Sequence, residues 1–470
     1  MSARLLFALL LAGCGGAATL SATFPDNRAE DLAAVLARVR AAGAPSRPVA
    51  VGLAEDRLYA YDLAAGRRLW EQAVAEPRTA PHIAGDLVVL AEGARIVARR
   101  MSDGAVAFAL PDENLSLVGA AGDGGDAAIV LSTGGGVGAR SRVLLVRDGS
   151  IASQLALDAA AGVPEVRAGL AFVPWGNQNV SGIEIAGARE VARLRSLDGV
   201  VGHARAAAGA VFFGQSGVGR MTEDPSRAGW YAPDVSALPG RPALFPDAYE
   251  PPPGPASASH RIRLAWRPSA GDGPVRMSDG ALYLTFYRLV FALGQDDLAP
   301  RWVHEHPADI VGAAALDGGV LLADAQGGLL FVGADGRSRW TAETGARPNV
   351  VAIRAEGFSP AGQTGPEPPP LAEQLLAAAQ STDARLVPAR AFAVRLLAAQ
   401  ADAGVTEHLI VLCDEASLPA DLRRAACEAL GERELGPEAV LAALGRRANY
   451  LTGTRAPPVG ALAAAAARLG

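Results

Sequence analysis

The chain has 470 residues and a formal net charge of −6, so it is longer than one ordinary domain and slightly acidic. Its 50% hydrophobic content is enough for a large core. The acidic balance argues against broad nucleic-acid binding, which needs a basic surface. No segment after the first residues is long and apolar enough to span a bilayer.

The first residues have the pattern of an export signal. Arg4 supplies the positive region, Leu5–Leu11 form a short apolar core, and the sequence Leu-Ala-Gly-Cys ends at Cys14. These four residues resemble a bacterial lipobox, which implies a signal peptide over residues 1–13 and lipidation of Cys14. An ordinary signal cleaved a few residues later is the alternative. Because Gly15 follows in place of Asp, the resemblance implies a lipid anchor in the outer membrane of a bacterial envelope, facing the periplasm.

Residues 14–44 are predicted to form the lipidated N-terminus and one amphipathic helix. Between Asn27 and Ala42, apolar side chains recur at helical spacing, with charges between them. The apolar positions are Leu32, Val35, Leu36 and Val39. We expect this helix to pack on the domain that follows, with docking of a partner as the alternative.

Residues 45–358 repeat one pattern of short strands. Each unit has strands of about four to six residues rich in Val, Leu, Ile and Tyr, then an Asp–Gly turn and a large apolar closing residue. Trp70 and Phe108 lie 38 residues apart, as do Trp302 and Trp340. A period of this size with four strands per unit is the signature of propeller blades.

Seven closing residues can be assigned along this region. They are Trp70, Phe108, Leu155, Leu194, Trp266, Trp302 and Trp340. The first unit has room for three strands only, and a spare strand, Asn349–Arg354, follows the last closing residue. Because a ring that is closed by its final strand leaves no open sheet edge, we predict a mainly β fold with a seven-bladed propeller. The long unit Asp198–Trp266 leaves room for an eighth blade.

The repeat resembles the pyrroloquinoline-quinone (PQQ) family of β-propellers. The match is carried by Tyr61-Asp62, Gly66 and Trp70, and in shortened form by Asp335-Gly336 and Trp340. Quinoprotein dehydrogenases of this family have an adjacent cysteine pair and a bound calcium ion, whereas residues 45–358 contain no cysteine. The resemblance therefore implies the non-enzymatic branch, which includes the propeller lipoprotein of the outer-membrane barrel assembly machinery. It implies no PQQ cofactor.

The long unit also contains a candidate docking surface. A proline-rich stretch, GRPALFPDAYEPPPGPASAS, begins at Gly240, and loops this long are usually functional or disordered. Aromatic and arginine side chains near rigid prolines favour protein binding. The candidate partner-binding residues are Trp230, Tyr231, Arg241, Phe245 and Tyr249. An ordered insertion that covers the end of the ring is the alternative.

Residues 359–370 form a Pro/Gly linker, and residues 371–470 follow with helical periodicity. This segment resembles a small stack of HEAT-type α-helical repeats. Its two cysteines are Cys413 and Cys427, and an oxidising compartment permits a bridge between them. If the two helices start and end level on either side of a turn at Ser417, the cysteines lie roughly 7 Å apart along the axis. The spacing therefore favours two buried thiols.

The motifs of common active sites are weak in this chain. His304-Glu305-His306 puts two imidazoles on one face of a strand, but no third metal ligand is evident, so a solvated loop is favoured. Gly134–Gly138 lacks the Lys-Ser/Thr of a phosphate loop, and Asp123-Gly124-Gly125-Asp126 is explained by a turn, with weak calcium binding as the alternative. The sequence predicts no catalytic, cofactor-binding or metal-binding residues.

Two classes of function follow. The first is a membrane-anchored envelope lipoprotein that acts as a protein–protein interaction scaffold through its propeller loops and helical segment, in a role related to outer-membrane protein assembly. Its partners would be another envelope protein and the membrane. The alternative is a PQQ-dependent oxidoreductase, or a propeller that binds a ligand or carbohydrate.

Overall fold

The computed structural model describes the following residues: 18–19, 34–35, 37–39, 41, 47–133, 138–195, 201–207, 210–215, 218–223, 231–236, 263–267, 281–294, 299–316, 318–360, 362, 364–433, 445, 463–464 and 467. The fold is mainly β. The described strands form seven sheets, each built around four antiparallel strands, and one of these sheets has a fifth strand that pairs in parallel. None of the helices in this part of the chain is long and apolar enough to cross a membrane.

The sheets are numbered here in ring order. Sheet 1 contains Val350–Arg354, Val49–Ala54, Arg57–Asp62 and Arg67–Ala73; sheet 2 contains His82–Ala84, Leu87–Glu92, Arg95–Arg100 and Val106–Pro111; sheet 3 contains Ser116–Asp123, Asp126–Ser132, Ser141–Arg147 and Ser150–Leu157; sheet 4 contains Glu165–Arg167, Leu170–Trp175, Asn179–Glu184 and Arg189–Arg195. Sheet 5 contains Val201–Ala207, Ala210–Gln215, Val218–Glu223 and Tyr231–Ser236; sheet 6 contains Arg263–Arg267, Ala281–Phe286, Leu289–Gly294 and Pro300–Glu305; sheet 7 contains Ile310–Leu316, Gly319–Asp324, Gly328–Gly333 and Ser338–Glu343.

The ring is closed by strands from both ends of the propeller segment. Val350–Arg354 pairs antiparallel with Val49–Leu53, in register from Val49 opposite Arg354 to Leu53 opposite Val350. The predicted closure by the last strand is therefore confirmed. From sheet 6 through sheets 7 and 1 to sheet 5, the first strands of successive sheets lie beside one another. The second strands of sheets 2, 4 and 7, Leu87–Glu92, Leu170–Trp175 and Gly319–Asp324, are buried at every position.

The closing tryptophans link one sheet to the next. Trp70 donates a hydrogen bond from Nε1 to the carbonyl of Met101 in sheet 2 (2.7 Å), and Trp302 donates to the carbonyl of Ala334 in sheet 7 (3.1 Å). Both indoles are nearly inaccessible to solvent. The Asp–Gly–Trp repeat therefore encodes contacts between sheets as well as turns within them.

Three of the predicted closing positions need correction. In sheets 1, 2, 6 and 7, a β-bulge immediately precedes the closing residue in the fourth strand. The residues that follow the same bulge in sheets 3 and 4 are Ser153 and Ala192, so Leu155 and Leu194 lie two residues beyond the equivalent position. Leu155 and Leu194 share the strand face of the true positions because side chains alternate with period two.

Trp266 closes no sheet. It lies in the first strand of sheet 6, where it pairs with Leu282. The fourth strand of sheet 5 is Tyr231–Ser236 instead. The long unit thus contains sheet 5 and the first strand of sheet 6. Its fourth strand is Tyr231–Ser236, and without a Trp or Phe the sequence does not mark that strand as the closing one.

Two N-terminal segments lie against the ring. Residues 34–35, 37–39 and 41 are helical, and Val35 and Val39 are buried against Phe172 of sheet 4 and Ala204 of sheet 5. The expected packing of this helix on the propeller is confirmed at these two positions; Leu32 and Leu36 are outside the described residues. Ala18–Thr19 pairs in parallel with the outer strand of sheet 3.

The C-terminal region is helical where the described residues cover it. Helices α1 (Leu371–Gln380), α2 (Val387–Leu397), α3 (Ala403–Asp414) and α4 (Ala420–Glu432) are joined by short connections, with a 3₁₀ turn at Ala384–Leu386. Their buried faces form one cluster with the outer strands of sheet 6. The linker also follows the ring, since the amide of Gly365 donates to the carbonyl of Ser338 (2.7 Å).

Cys413 and Cys427 form a disulfide, with their Cα atoms 5.0 Å apart. The prediction of two separate thiols was therefore wrong. It assumed that α3 and α4 end and begin at the same height. The five-residue connection Glu415–Pro419 is extended at both ends, so it lets α4 begin about 10 Å beyond the level of Cys413. Cys427 is then level with its partner.

Candidate interaction surfaces

The predicted docking residues are mostly outside the described part of the chain. The residues outside it are Trp230, Arg241, Phe245 and Tyr249, together with the predicted lipidation site Cys14. Tyr231 begins the fourth strand of sheet 5. The predicted surface and the predicted lipid anchor therefore stay predictions.

The chain positions around the insertion fix where it leaves the ring. Ser236 ends a fourth strand and Arg263 begins a first strand, and connections of this kind all emerge at one end of a propeller of this topology. The connection between sheets 6 and 7, which contains Asp309, lies at that same end. Arg385 of the helical region contacts Asp309 there, with Nη1 2.6 Å from Oδ2. Ser236 and Arg263, which flank the insertion, thus lie at the end of the ring that Arg385 of the helical region contacts.

The contact between propeller and helices is both aromatic and ionic. Phe392 of α2 packs edge-on against Phe291 of sheet 6, with ring centroids 5.1 Å apart. The guanidinium of Arg385 lies over the ring of Tyr287 at 4.6 Å. Hydrogen bonds from Arg385 lower the pKa of Asp383 to about 2, so this carboxylate stays charged down to acidic pH. The helices are therefore fixed to sheet 6 and do not hang from a free linker.

The two histidines of the His-Glu-His sequence are packed in the fold, and the prediction of a solvated loop was wrong. His304 lies in the last strand of sheet 6 and His306 directly follows it, buried. His306 Nε2 and Asp324 Oδ2 are 2.7 Å apart. Burial raises the pKa of Asp324, but the hydrogen bonds with His306 and the Gly328 and Gln326 amides outweigh it and lower the pKa overall.

This histidine–aspartate pair explains the burial without a metal. Asp324 accepts hydrogen bonds from the amides of Gln326 and Gly328 at 2.8 and 2.9 Å, so it also holds the turn that follows its strand. Within the described residues, no group of three or more His, Cys, Asp or Glu side chains is arranged to hold a metal ion.

Of the other two motifs, one occurs in a turn. Asp123 and Asp126 face each other across a tight hairpin in which Gly124 has a φ of +60°, as the turn interpretation predicted. Most of the Gly134–Gly138 stretch is outside the described residues.

A cleft of about 470 Å³ lies where sheets 6 and 7, the linker and α1 meet. Leu289, Val303 and Ala378 give it an apolar lining. Gln374 connects its walls: the amide of Val303 donates to Oε1 (2.7 Å), and Nε2 donates to the carbonyl of Pro369 (2.5 Å). Sequence reasoning missed this cleft, because four segments that carry no shared motif contribute to it.

Comparison with known families supports the repeat assignment. Residues 27–213 match the model of a PQQ-like family described as outer membrane protein assembly factor BamB. The matched segment begins in the N-terminal helix region and ends in sheet 5. The chain contains a PQQ-like β-propeller resembling BamB. A comparison with curated protein sequences gives no significant match.

Solved structures of several propellers also match. BamB from Moraxella catarrhalis is 14% identical over 64% of this chain and 85% of its own, with a TM-score of 0.36. AztD from Citrobacter koseri is 10% identical over 69% of this chain and 100% of its own, with a TM-score of 0.38. The dihydro-heme d1 dehydrogenase NirN is 13% identical over 67% and 68%, with a TM-score of 0.37. Likeness at this level carries no argument about function, and the matches include both an assembly factor and a dehydrogenase.

Proposed function

We propose that this protein is a membrane-anchored envelope lipoprotein that acts as an interaction scaffold in the assembly of outer-membrane proteins. The observation that carries the proposal is the match of residues 27–213 to the family described as outer membrane protein assembly factor BamB. The seven described sheets are then the seven blades, and the helical region is a short HEAT-like solenoid attached to sheet 6.

The disulfide supports an envelope location. Disulfides persist in oxidising compartments such as the bacterial periplasm and are rare in the cytosol. Cys413 and Cys427 bridge two helices of the segment that packs on the propeller. This agrees with export directed by the N-terminal leader, and with a lipid anchor at Cys14.

The location of the two candidate docking elements supports a scaffold. Ser236 and Arg263, which flank the insertion, lie at the end of the ring that Arg385 of the helical region contacts. A partner that bridges them would contact aromatic and arginine anchors of the kind that dominate protein interfaces, here Trp230, Tyr231, Arg241, Phe245 and Tyr249.

Crosslinking in native membranes, followed by purification of the protein, tests this function. We expect an outer-membrane assembly protein among the captured partners, and weaker capture when Pro239–Ser257 is deleted. The deletion should leave the melting temperature almost unchanged if the insertion is a docking surface. Lost stability with unchanged capture would show that it only covers the ring. Calorimetric binding of PQQ with calcium would favour an oxidoreductase instead.

The anchor is tested separately. Cys14→Ser should leave an unlipidated precursor and move the protein from the membrane to the soluble fraction. Equal incorporation of radiolabelled palmitate by the wild type and the variant would refute lipidation at Cys14.

A further inference from the structure

The fourth strands of sheets 2 and 3 carry no charged residue. These strands are Val106–Pro111 and Ser150–Leu157, and together they are called the 2–3 edge here. The fourth strand of every other described sheet contains at least one charged side chain, such as Arg67 in sheet 1 and Asp234 in sheet 5. Native sheets commonly protect their exposed edges with charges. The 2–3 edge lacks this protection.

The 2–3 edge is continuous and has apolar side chains at its surface. Phe108 and Leu110 of sheet 2 and Ile151 of sheet 3 pack against one buried cluster, which the two sheets share. Val106 is 48% exposed, and Ala109 on the same strand is exposed as well. Because no side chain of these two strands carries a charge, a partner can cover the 2–3 edge without removing water from an ion.

A short strand near the N-terminus lies on this edge. Ala18–Thr19 pairs in parallel with Ser150–Leu157. The predicted lipidation site Cys14 precedes Ala18 by four residues, and four residues span at most about 14 Å. A chain held only from Val35 of the N-terminal helix onwards would allow about 75 Å by the same measure. The strand pairing therefore restricts Cys14 to the neighbourhood of the 2–3 edge.

We propose that the pairing of Ala18–Thr19 holds the 2–3 edge against the surface of the bilayer in which Cys14 is anchored. The partner is the headgroup region of the phospholipids, where apolar side chains such as Val106 enter the boundary and polar backbone groups stay hydrated. This contact deepens the scaffold function and rests on it, since it requires the lipid at Cys14.

The contact also fixes the orientation of the ring. Sheets 2 and 3 face the membrane, and sheet 6 is three sheets away from each of them in ring order. The helical region packs on sheet 6, and the insertion leads into it from sheet 5. Both candidate docking elements thus stay on the side of the ring that is open to protein partners.

Fluorescence quenching by lipids with a nitroxide headgroup tests this orientation. The lipidated full-length protein is reconstituted in vesicles of phosphatidylethanolamine and phosphatidylglycerol that contain such lipids. One fluorophore is attached at Ala109→Cys or at Thr341→Cys, which are exposed positions directly after the closing residues of sheets 2 and 7. The lipid and the disulfide occupy the three native cysteines. We expect the label at position 109 to lose most of its fluorescence and the label at position 341 to lose little.

Two insertions test the role of the strand pairing. A Gly/Ser sequence of about twenty residues after Gly16 lengthens the chain between Cys14 and Ala18, so the difference between the two labels should disappear. The matched insertion after Ala22 leaves these four residues unchanged and should keep the difference. Equal quenching of the two labels in the wild type would overturn the membrane contact and favour an extended partner strand on the edge of sheet 2. The same effect of both insertions would overturn the role of the pairing.

Failure of the proposed function gives a different result. If the wild type and Cys14→Ser both fail to float with the vesicles, the lipid anchor is wrong and the membrane contact is wrong with it. If the wild type floats and shows the expected quenching, but crosslinking in native membranes captures no assembly protein, the scaffold function is wrong and the orientation of the ring stands.

Discussion

Replacing Gly104, the turn glycine next to Trp70, should destabilise the propeller much more than replacing Gly66, the glycine at the same turn of sheet 1. Gly104 lies in the hairpin between the last two strands of sheet 2, with a φ of +73°. A Cβ added there would lie 2.7 Å from Cε3 of Trp70, which is much closer than real Cβ contacts. Gly66 occupies the same turn of sheet 1 with a φ of +63°, and its nearest such neighbour is the Tyr61 hydroxyl at 4.0 Å.

The two glycines therefore separate backbone strain from the contact between sheets. A left-handed backbone costs an alanine about 1–2 kcal/mol, offset in part by about 0.4–1 kcal/mol from the restricted unfolded chain. This net cost of about 1 kcal/mol applies to both Gly66→Ala and Gly104→Ala. Only Gly104→Ala also forces Trp70 out of its place, and overpacking of a core costs typically about 1–3 kcal/mol. We expect a total loss of about 2–4 kcal/mol for Gly104→Ala.

Urea unfolding followed by far-ultraviolet circular dichroism measures the difference. Both variants should keep the wild-type slope, and the midpoint of Gly104→Ala should fall two to four times further than that of Gly66→Ala, in proportion to these losses. Gly336→Ala, whose added Cβ would lie 3.0 Å from Cγ of Trp302, should also lose more unfolding free energy than Gly66→Ala. Equal losses at Gly66 and Gly104 would refute the role of the tryptophan contact.

Three further outcomes are expected. Replacing Val350–Arg354 by a Gly/Ser sequence of equal length should lower the melting temperature far more than the same replacement of residues 359–363, because only the former removes the partner of Val49–Leu53; equal shifts would show that closure depends on other contacts. The double variant Cys413→Ser/Cys427→Ser should lose about 3 kcal/mol of unfolding free energy, since the bridge closes a loop of 14 residues, and an unchanged urea midpoint would contradict this. Burial lowers the pKa of His304 from 6.5 to about 4, so between these pH values the unfolded chain binds more protons than the folded one and the free energy of unfolding falls as the pH drops. The wild type should therefore lose about 2 kcal/mol more unfolding free energy between pH 7 and pH 5 than His304→Gln does, as measured by urea titration at both pH values.

The architecture could be predicted because the repeat is local and recurs. Trp70, Phe108, Trp302 and Trp340 each follow the hairpin between the last two strands of a sheet, and Trp70 and Trp302 also contact the next sheet, so both features are encoded within about forty residues. Closure by the last strand followed from counting strands against the need to leave no sheet edge unpaired.

The misassigned closing residues show where a local pattern stops being enough. Ser153 and Ala192 occupy the structural position of Trp70, yet neither has the size that marks it in sequence. Leu155 and Leu194 lie on the same strand face two residues later and give the same alternating signal. Only the position of the bulge distinguishes the two registers, and it depends on pairing with the neighbouring strand.

What the sequence alone determined is the set of elements: a ring of short strands that ends where it began, and a helical region after a proline-rich linker. The tertiary structure decided the relations between distant segments. It placed Cys427 level with Cys413 because a connection of five residues offset the helices, and it buried His306 against Asp324 of the next sheet. It also assembled the cleft between sheets 6 and 7, the linker and α1. These features depend on distances through space, which neither spacing nor composition along the chain specifies.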